Sequence, residues 1–232
     1  VKYLVLLAAR GGAGDDLAGA LVHEAERIAA TPGIDVVALR QGSPDPFGAA
    51  VPGMRAFDAT LDVRGDDDSL VLAALAGIAD RLDDLVHADL SATLAGTDHV
   101  VIACAPTPVR YQYVMRRKRG VTHAQYLDHY VHRHAQFGRI TPGIEGYTQF
   151  HVDADLSRAA ASAAGVGLWR ADSVSELHLA SVETFLDALA TSNPGADAAE
   201  DEERFVDRAH SVMFTSAVIW RSSSGASGGS AT

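Results

Sequence analysis

The chain has 232 residues, 47% of them hydrophobic and 21% charged, a globular composition with room for one large domain or two small ones. Its 19 Lys and Arg against 30 Asp and Glu leave a formal charge of −11, which excludes a general nucleic-acid or anionic-membrane surface, because phosphate binding needs a basic face. Cys104 is the single cysteine, so no internal disulfide can form, and its place in the apolar run 99–105 reads as a buried, unreactive thiol. No apolar run reaches the length of a membrane span and no charged-then-apolar leader is visible, so a cytoplasmic location is expected. Lys2 and Lys118 are the only lysines, which suggests a GC-rich bacterial gene and argues against Schiff-base chemistry.

In chain order, residues 2–8 form an apolar strand ended by Arg10-Gly11-Gly12. Asp15 or Asp16 is placed to cap the next helix, whose stripe of Leu17, Leu21, Ala25 and Ile28 recurs at helical spacing until Thr31-Pro32-Gly33 stops it. Residues 34–40 are a second strand, a Pro- and Gly-rich loop that could shape or lid a pocket spans 41–53, and residues 55–64 alternate as a third strand. Residues 66–69 cap a second helix reaching about residue 85, and residues 98–105 form a fourth strand. The second half repeats the order, with strand 109–116, helix 122–137, strands 145–152 and 174–180, helix 182–190 and strand 211–220. An internal repeat on this scale decides the fold. Ala105-Pro106-Thr107-Pro108, with two X-Pro steps in four residues, makes an extended link between the halves. The Ala-rich stretch 155–167 is expected as a short helix over one mouth of the structure, and the Ser- and Gly-rich tail 222–232 as a flexible extension.

Residues 115–152 hold the densest pattern. Thr122-x-x-Gln125 is a capping box opening a helix on which Tyr126, Tyr130, His134 and Phe137 share one flank, while His129 and His132 point to solvent. Thr141-Pro142-Gly143 ends it, and an alternating strand follows. The basic run 116–119 reads as a solvated strand end and turn, with contact to a substrate carboxylate or phosphate as the alternative. Arg10-Gly11-Gly12-Ala13-Gly14 is a strand-to-helix turn without a phosphate-loop pattern, and neither a G-x-G-x-x-G after a strand nor a G-x-S-x-G elbow occurs.

The order Arg117-Lys118-x-Gly120, Tyr126, Tyr130, His134, Pro142-Gly143-Ile144 and Tyr147-x-Gln149-x-His151, followed by Asp172-Ser173-Val174-Ser175-Glu176-Leu177-His178 and Phe205-Val206-Asp207, resembles the EthD family over roughly residues 109–220. Tyr130 and His178 stand where that family has Trp and another aromatic. Its members are small dimeric α/β barrel proteins built on a ferredoxin-like βαββαβ unit. With the internal repeat, the resemblance implies an α+β fold: two fused ferredoxin-like units, residues 1–105 and 109–221, facing each other as an intramolecular dimeric α/β barrel. The first unit has no counterpart of Tyr147-x-Gln149-x-His151 and reads as a degenerate copy closing the barrel.

Strand alternation puts Tyr147, Gln149 and His151 on one face and Thr148, Phe150 and Val152 on the other, and it sets Glu176 and His178 against Leu177 and Leu179. With the apolar set assigned to the helix side, the polar set is expected to line a solvated or ligand-filled barrel interior. A His beside a carboxylate is a general-base pair, so His151 or His178 is the expected base, Glu176 its orienter and Tyr147 or Tyr130 the proton donor. His134 is catalytic or structural, and Gln149, Tyr130 and Tyr126 are expected substrate contacts. Neither a metal nor an organic cofactor is expected. The sequence points to an acid–base enzyme of lyase, dehydratase, cyclase or isomerase type, acting on a small apolar oxygenated metabolite such as a polyketide, aromatic or lactone. A cofactor-free monooxygenase and a non-catalytic small-molecule binder are the alternatives. The expected partner is the small molecule, not nucleic acid or membrane, and a homodimer of the fused pseudo-dimer is left open.

Overall fold

Eight strands close into one antiparallel barrel in the computed structural model, which describes residues 1–42, 45–47, 57–191 and 194–223. The first half contains β1 (Lys2–Leu7), α1 (Gly14–Ala29), β2 (Ile34–Gln41), β3 (Ala59–Gly65), α2 (Asp68–Leu75), α3 (Ile78–Arg81) and β4 (Ala92–Ile102). The second contains β5 (Val109–Met115), α4 (His123–His129), a π turn (Tyr130–His134), α5 (Ala135–Ile140), β6 (Gly146–Asp153), α6 (Ala154–Ala164), β7 (Ser173–Leu179), α7 (Val182–Thr191), α8 (Pro194–Glu202) and β8 (Val212–Arg221). Around the barrel the strands run β4-β1-β3-β2 and then β8-β5-β7-β6, so both halves use the same ferredoxin-like order. The halves join by antiparallel pairing of β2 with β8 and of β4 with β6, which leaves no open sheet edge.

The outer face of β1 to β3 packs under α1, whose predicted stripe Leu17, Leu21, Ala25 and Ile28 is fully buried against Tyr3, Val5, Leu61 and Val63. Asp15 and Asp16 lie inside the first turn of α1 and do not cap it. In the second helix Asp67 is the cap, accepting from the amides of Ser69 and Leu70, and Gly77 at φ 69° breaks the run expected to reach residue 85. β4 begins at Ala92, earlier than the sequence pattern indicates, and ends at Ile102. Cys104 therefore lies beyond the strand and is exposed, not buried. The Ala-rich helix α6 packs along β4 and α2 instead of crossing the mouth, with Ser157 Oγ accepting from the Ala95 amide at 2.9 Å. Residues 43–44, 48–56 and 224–232, which include most of the predicted pocket loop and tail, lie outside the described residues.

Inside the barrel, one end is apolar: Leu4, Leu6, Leu94, Val114, Phe150, Val174 and Phe214 pack together, with Trp169 set edge-on against Phe57 at 5.6 Å. The other end is a charge network. Lys2 Nζ bonds Glu176 and approaches Asp98 at 3.4 Å and Asp62 at 3.8 Å; Arg110 bonds Asp62 and sits 3.6 Å from Glu176. Gln112 donates to Glu176 at 3.1 Å, and Arg64 reaches Asp62 at 3.2 Å and Asp98 at 2.6 Å. Burial alone would raise the Asp62 and Glu176 carboxyls. Lys2 and Arg110 overcome it in both, Arg64 adds to the effect on Asp62, and both are held below the usual carboxylate range.

Removing one partner strands the others without compensation, so Glu176→Gln should destabilise the fold by about 3–5 kcal/mol in urea unfolding. A cost under about 1 kcal/mol would show that the network is not closed as described. Depressed carboxyls contribute stability that is present above their unfolded values, near pH 4, and lost as the pH falls through the lower folded values. The Tm should accordingly drop in acid less steeply for Asp62→Asn/Glu176→Gln than for the unmodified chain.

Candidate active site

Strand parity is as expected; its direction holds on β7, where Leu177 and Leu179 lie under the helices, and is reversed on β6. Phe150 and Val152 point into the barrel, whereas Tyr147, Gln149 and His151 face the helix layer. On β7, Glu176 belongs to the interior network and His178 borders the adjacent barrel mouth beside Arg110 and Cys104. His151 is therefore separated from Glu176 and His178 by the sheet, and the three do not converge. The interior holds packed side chains where the sequence suggested a polar cavity.

The cavity lies on the outer face of β5 to β8. It is about 310 Å³ and is walled by Tyr111, Tyr113, Tyr147, Ser175 and Met213 from the strands, by His134, Phe137, Phe185 and Leu189 from helices, and by Ala198, Ala199 and Glu202 of α8. That volume is at the small end of the range for metabolite sites, and the lining is mostly apolar with a few convergent polar groups.

Local sequence builds each wall. The Thr122–Gln125 capping box forms as predicted and starts α4. The helix then widens into the π turn Tyr130–His134, a form that recurs at functional sites. Gln149 Nε2 donates to the Tyr130 carbonyl at 2.9 Å and to the Tyr147 hydroxyl at 3.0 Å, so Gln149 ties the Tyr147 ring to the π turn from behind the cavity wall. Because the Tyr147 oxygen accepts that bond, its own proton is free to donate. Gly138 allows the close approach of the Tyr147 ring, since a Cβ there would lie 2.3 Å from it. Burial raises the Tyr147 phenol, and hydrogen bonds with Gln149, Tyr130 and Ser175 moderate the rise. The Tyr113 hydroxyl, also raised by burial, has no hydrogen-bond partner among the described residues. Tyr126 and Tyr130, expected as substrate contacts, are buried behind the wall. Tyr126 bonds Ser173 Oγ at 2.6 Å, and both rings pack on Phe205.

α8 brings two carboxylates that the sequence reading missed. Asp201 accepts from His134 Nδ1 at 3.0 Å and from His129 Nε2 at 3.0 Å, bridging both imidazoles. His129 is thus half-buried beneath α8 and against Phe205, not solvent-facing, whereas His132 is exposed as expected. A carboxylate can only accept, so the His134 proton sits on Nδ1 and the Nε2 lone pair faces Glu202 Oε1 at 4.0 Å. Burial lowers the His134 imidazole, partly offset by Asp201. Burial also raises Glu202, with Arg208 opposing and Asp201 adding, to about 7. Asp201, His134 and Glu202 thus stand in a row, with His134 and Glu202 lining the cavity and Asp201 behind them. Asp201 and Glu202 belong to the acidic run Glu200-Asp201-Glu202-Glu203, which reads as a solvated face, so no signal in the sequence marked them.

His151 sits elsewhere, stacked on His99 at 5.7 Å, with a buried Nε2 that has no partner among the described residues. Among the described residues no three His, Cys, Asp or Glu side chains are grouped as a metal site.

Glu202 should titrate by carboxyl NMR with a midpoint of about 7. Removing a nearby cation favours the protonated acid, so Arg208→Gln should move the midpoint up, and Asp201→Asn should move it down. A Glu202 midpoint in the ordinary carboxylate range would remove it as a neutral-pH acid or base.

Residues 118–209 match the family model described as EthD domain. No curated protein matches the chain. Among solved structures, an anthrone oxidase-like protein superposes with a TM-score of 0.63 at 10% identity, covering 100% of this chain and 95% of that one. A provisionally named monooxygenase of Fusobacterium nucleatum gives 0.59 at 6%, covering 97% and 94%. A dye-decolorizing peroxidase of Bacteroides thetaiotaomicron gives 0.54 at 9%, covering 94% and 92%. At such identities the likeness shows the fold alone. No described helix is long and apolar enough to cross a membrane. Residues 118–209 thus resemble an EthD domain, carried in the second half of a single-chain, eight-stranded antiparallel α/β barrel.

Proposed function

We propose that the chain is an enzyme whose outer-face cavity takes a small, largely apolar, oxygenated carbon acid, an aromatic or polyketide-like molecule, and removes a proton next to a carbonyl. The observation that carries this reading is Glu202, a carboxyl at about 7 within an apolar cavity, beside His134. A base with that value is half ionised at neutral pH and matched to general acid–base work. Glu202 takes the proton, and the His134 Nε2 lone pair provides a second station for it while Asp201 holds the ring. Tyr147, or Tyr113, donates a hydrogen bond to the oxygen that becomes an enolate or phenolate.

Two fates of the carbanion share this first step. Loss of a leaving group or reprotonation elsewhere makes the enzyme a lyase or isomerase without cofactor. Reaction of the carbanion with dioxygen makes it an oxygenase, and likeness to an anthrone oxidase-like protein favours an anthrone-type substrate for this second fate.

Hydrogen–deuterium exchange at the acidic carbon of anthrone, a 1,3-diketone and a lactone, followed in D₂O under argon, measures the shared step. The protein should accelerate exchange for at least one of them, with a rate limb of about 7 rising towards alkaline pH. Glu202→Gln should lower the rate by about a hundredfold or more, and Tyr147→Phe by about tenfold. Binding without exchange, or exchange indifferent to Glu202→Gln, would reduce the cavity to a carrier site. Admitting oxygen then separates the fates by whether oxygen is consumed.

A further inference from the structure

At the end of β5 the chain turns through Arg116, Arg117, Lys118, Arg119 and Gly120, and Arg170 closes the far side of a cleft of about 510 Å³. Five of the chain's 19 Lys and Arg thus face one space in a protein whose formal charge is −11. Two of the five are occupied: Arg117 bonds Asp172, and Lys118 Nζ donates to the Glu203 carbonyl at 2.7 Å. The guanidiniums of Arg116, Arg119 and Arg170 make no ion pair or hydrogen bond among the described residues. Gly120 adopts φ 89°, and the amides of Arg119 and Gly120 donate to no protein acceptor among the described residues. Asp172 is taken by Arg117 and His123, and Asp207, bonded to His210 at 2.9 Å, is the one carboxylate lining the cleft, so it offsets at most one of the three free guanidiniums.

Like charges this close repel, and they persist at least cost where an anion comes between them. A single carboxylate satisfies one guanidinium fork. Three forks with two free amides match a group carrying three acceptor oxygens and close to two negative charges. We propose that this cleft binds the phosphoryl group of a small molecule. The inference does not depend on what the neighbouring cavity catalyses, although the two spaces are bounded by adjoining residues. Met115 and Arg208 line the cavity, whereas Arg116, Asp207 and His210 line the cleft.

Calorimetric titration of the full chain with inorganic pyrophosphate tests the site. Binding should be 1:1, weaken with added salt, and fall by about tenfold or more in Arg119→Gln/Arg170→Gln, which removes two exposed, unpaired side chains and leaves the melting curve unchanged. Arg133→Gln/Arg139→Gln removes the same charge elsewhere and should bind as the unmodified chain does. No binding of pyrophosphate, or an equal loss in both double variants, overturns the proposal. Inorganic phosphate against 1-naphthyl phosphate then identifies the source of the group. An aryl ester about tenfold tighter places the phosphoryl group on a molecule whose body enters the cavity, and equal affinities assign it to a separately bound phosphorylated ligand.

Discussion

Lys2 meets Glu176 and Asp62 meets Arg110 inside the barrel, and in each pair the partners come from different halves of the chain. The desolvation of buried ions is costly, and a hydrophobic filling of the same shape would serve stability as well or better. What the network adds is selectivity of register. A slip of β5 or β7 against the first half would leave Arg110 or Glu176 facing apolar neighbours without a counter-charge, so only one docking of the halves satisfies all members. The three cations Lys2, Arg64 and Arg110 against Asp62, Asp98 and Glu176 sum to no net charge, which lets Lys2, Asp62, Arg110 and Glu176 stay buried while Arg64 reaches the surface.

This filling also decides where open space remains. With the barrel interior packed by paired charges at one end and by Phe57 and Trp169 at the other, the mostly apolar cavity of the second half lies between sheet and helices. The halves treat that layer differently. In the first, α1 presses Leu17, Leu21 and Ile28 directly onto the strands. In the second, the π turn, the close approach of Gly138 to Tyr147 and the small residues Ala198 and Ala199 of α8 leave a gap, and polar groups point into it.

Much of this fold was legible in the sequence. The repeat of strand, helix, strand, strand, helix, strand and the Thr122–Gln125 box gave element order and several boundaries because both rest on local chemistry. Strand alternation sorted β6 and β7 into two faces, but alternation is blind to which face looks inward. Phe150 and Val152 suit a barrel interior as well as a helix contact, and Tyr147, Gln149 and His151 found hydrogen bonds and ring contacts under the helices instead. Glu176 and His178 looked like site residues because a polar inner face suggested a cavity, when partners such as Lys2 and Arg110 lay far away in sequence. The reverse error hid Asp201 and Glu202, whose meaning depends on α8 folding back over His129 and His134.

The link 105–108 makes the barrel one covalent object. A barrel assembled from two identical chains must build every site twice, at equal occupancy, and any substitution appears on both sides of its axis. Here each half answers to its own sequence, so the second sheet can carry a cavity under its helices while the first packs its helix directly onto the strands. For the binding proposed at the outer-face cavity, the stoichiometry would be one ligand equivalent per chain, with no second copy of that cavity inside the barrel.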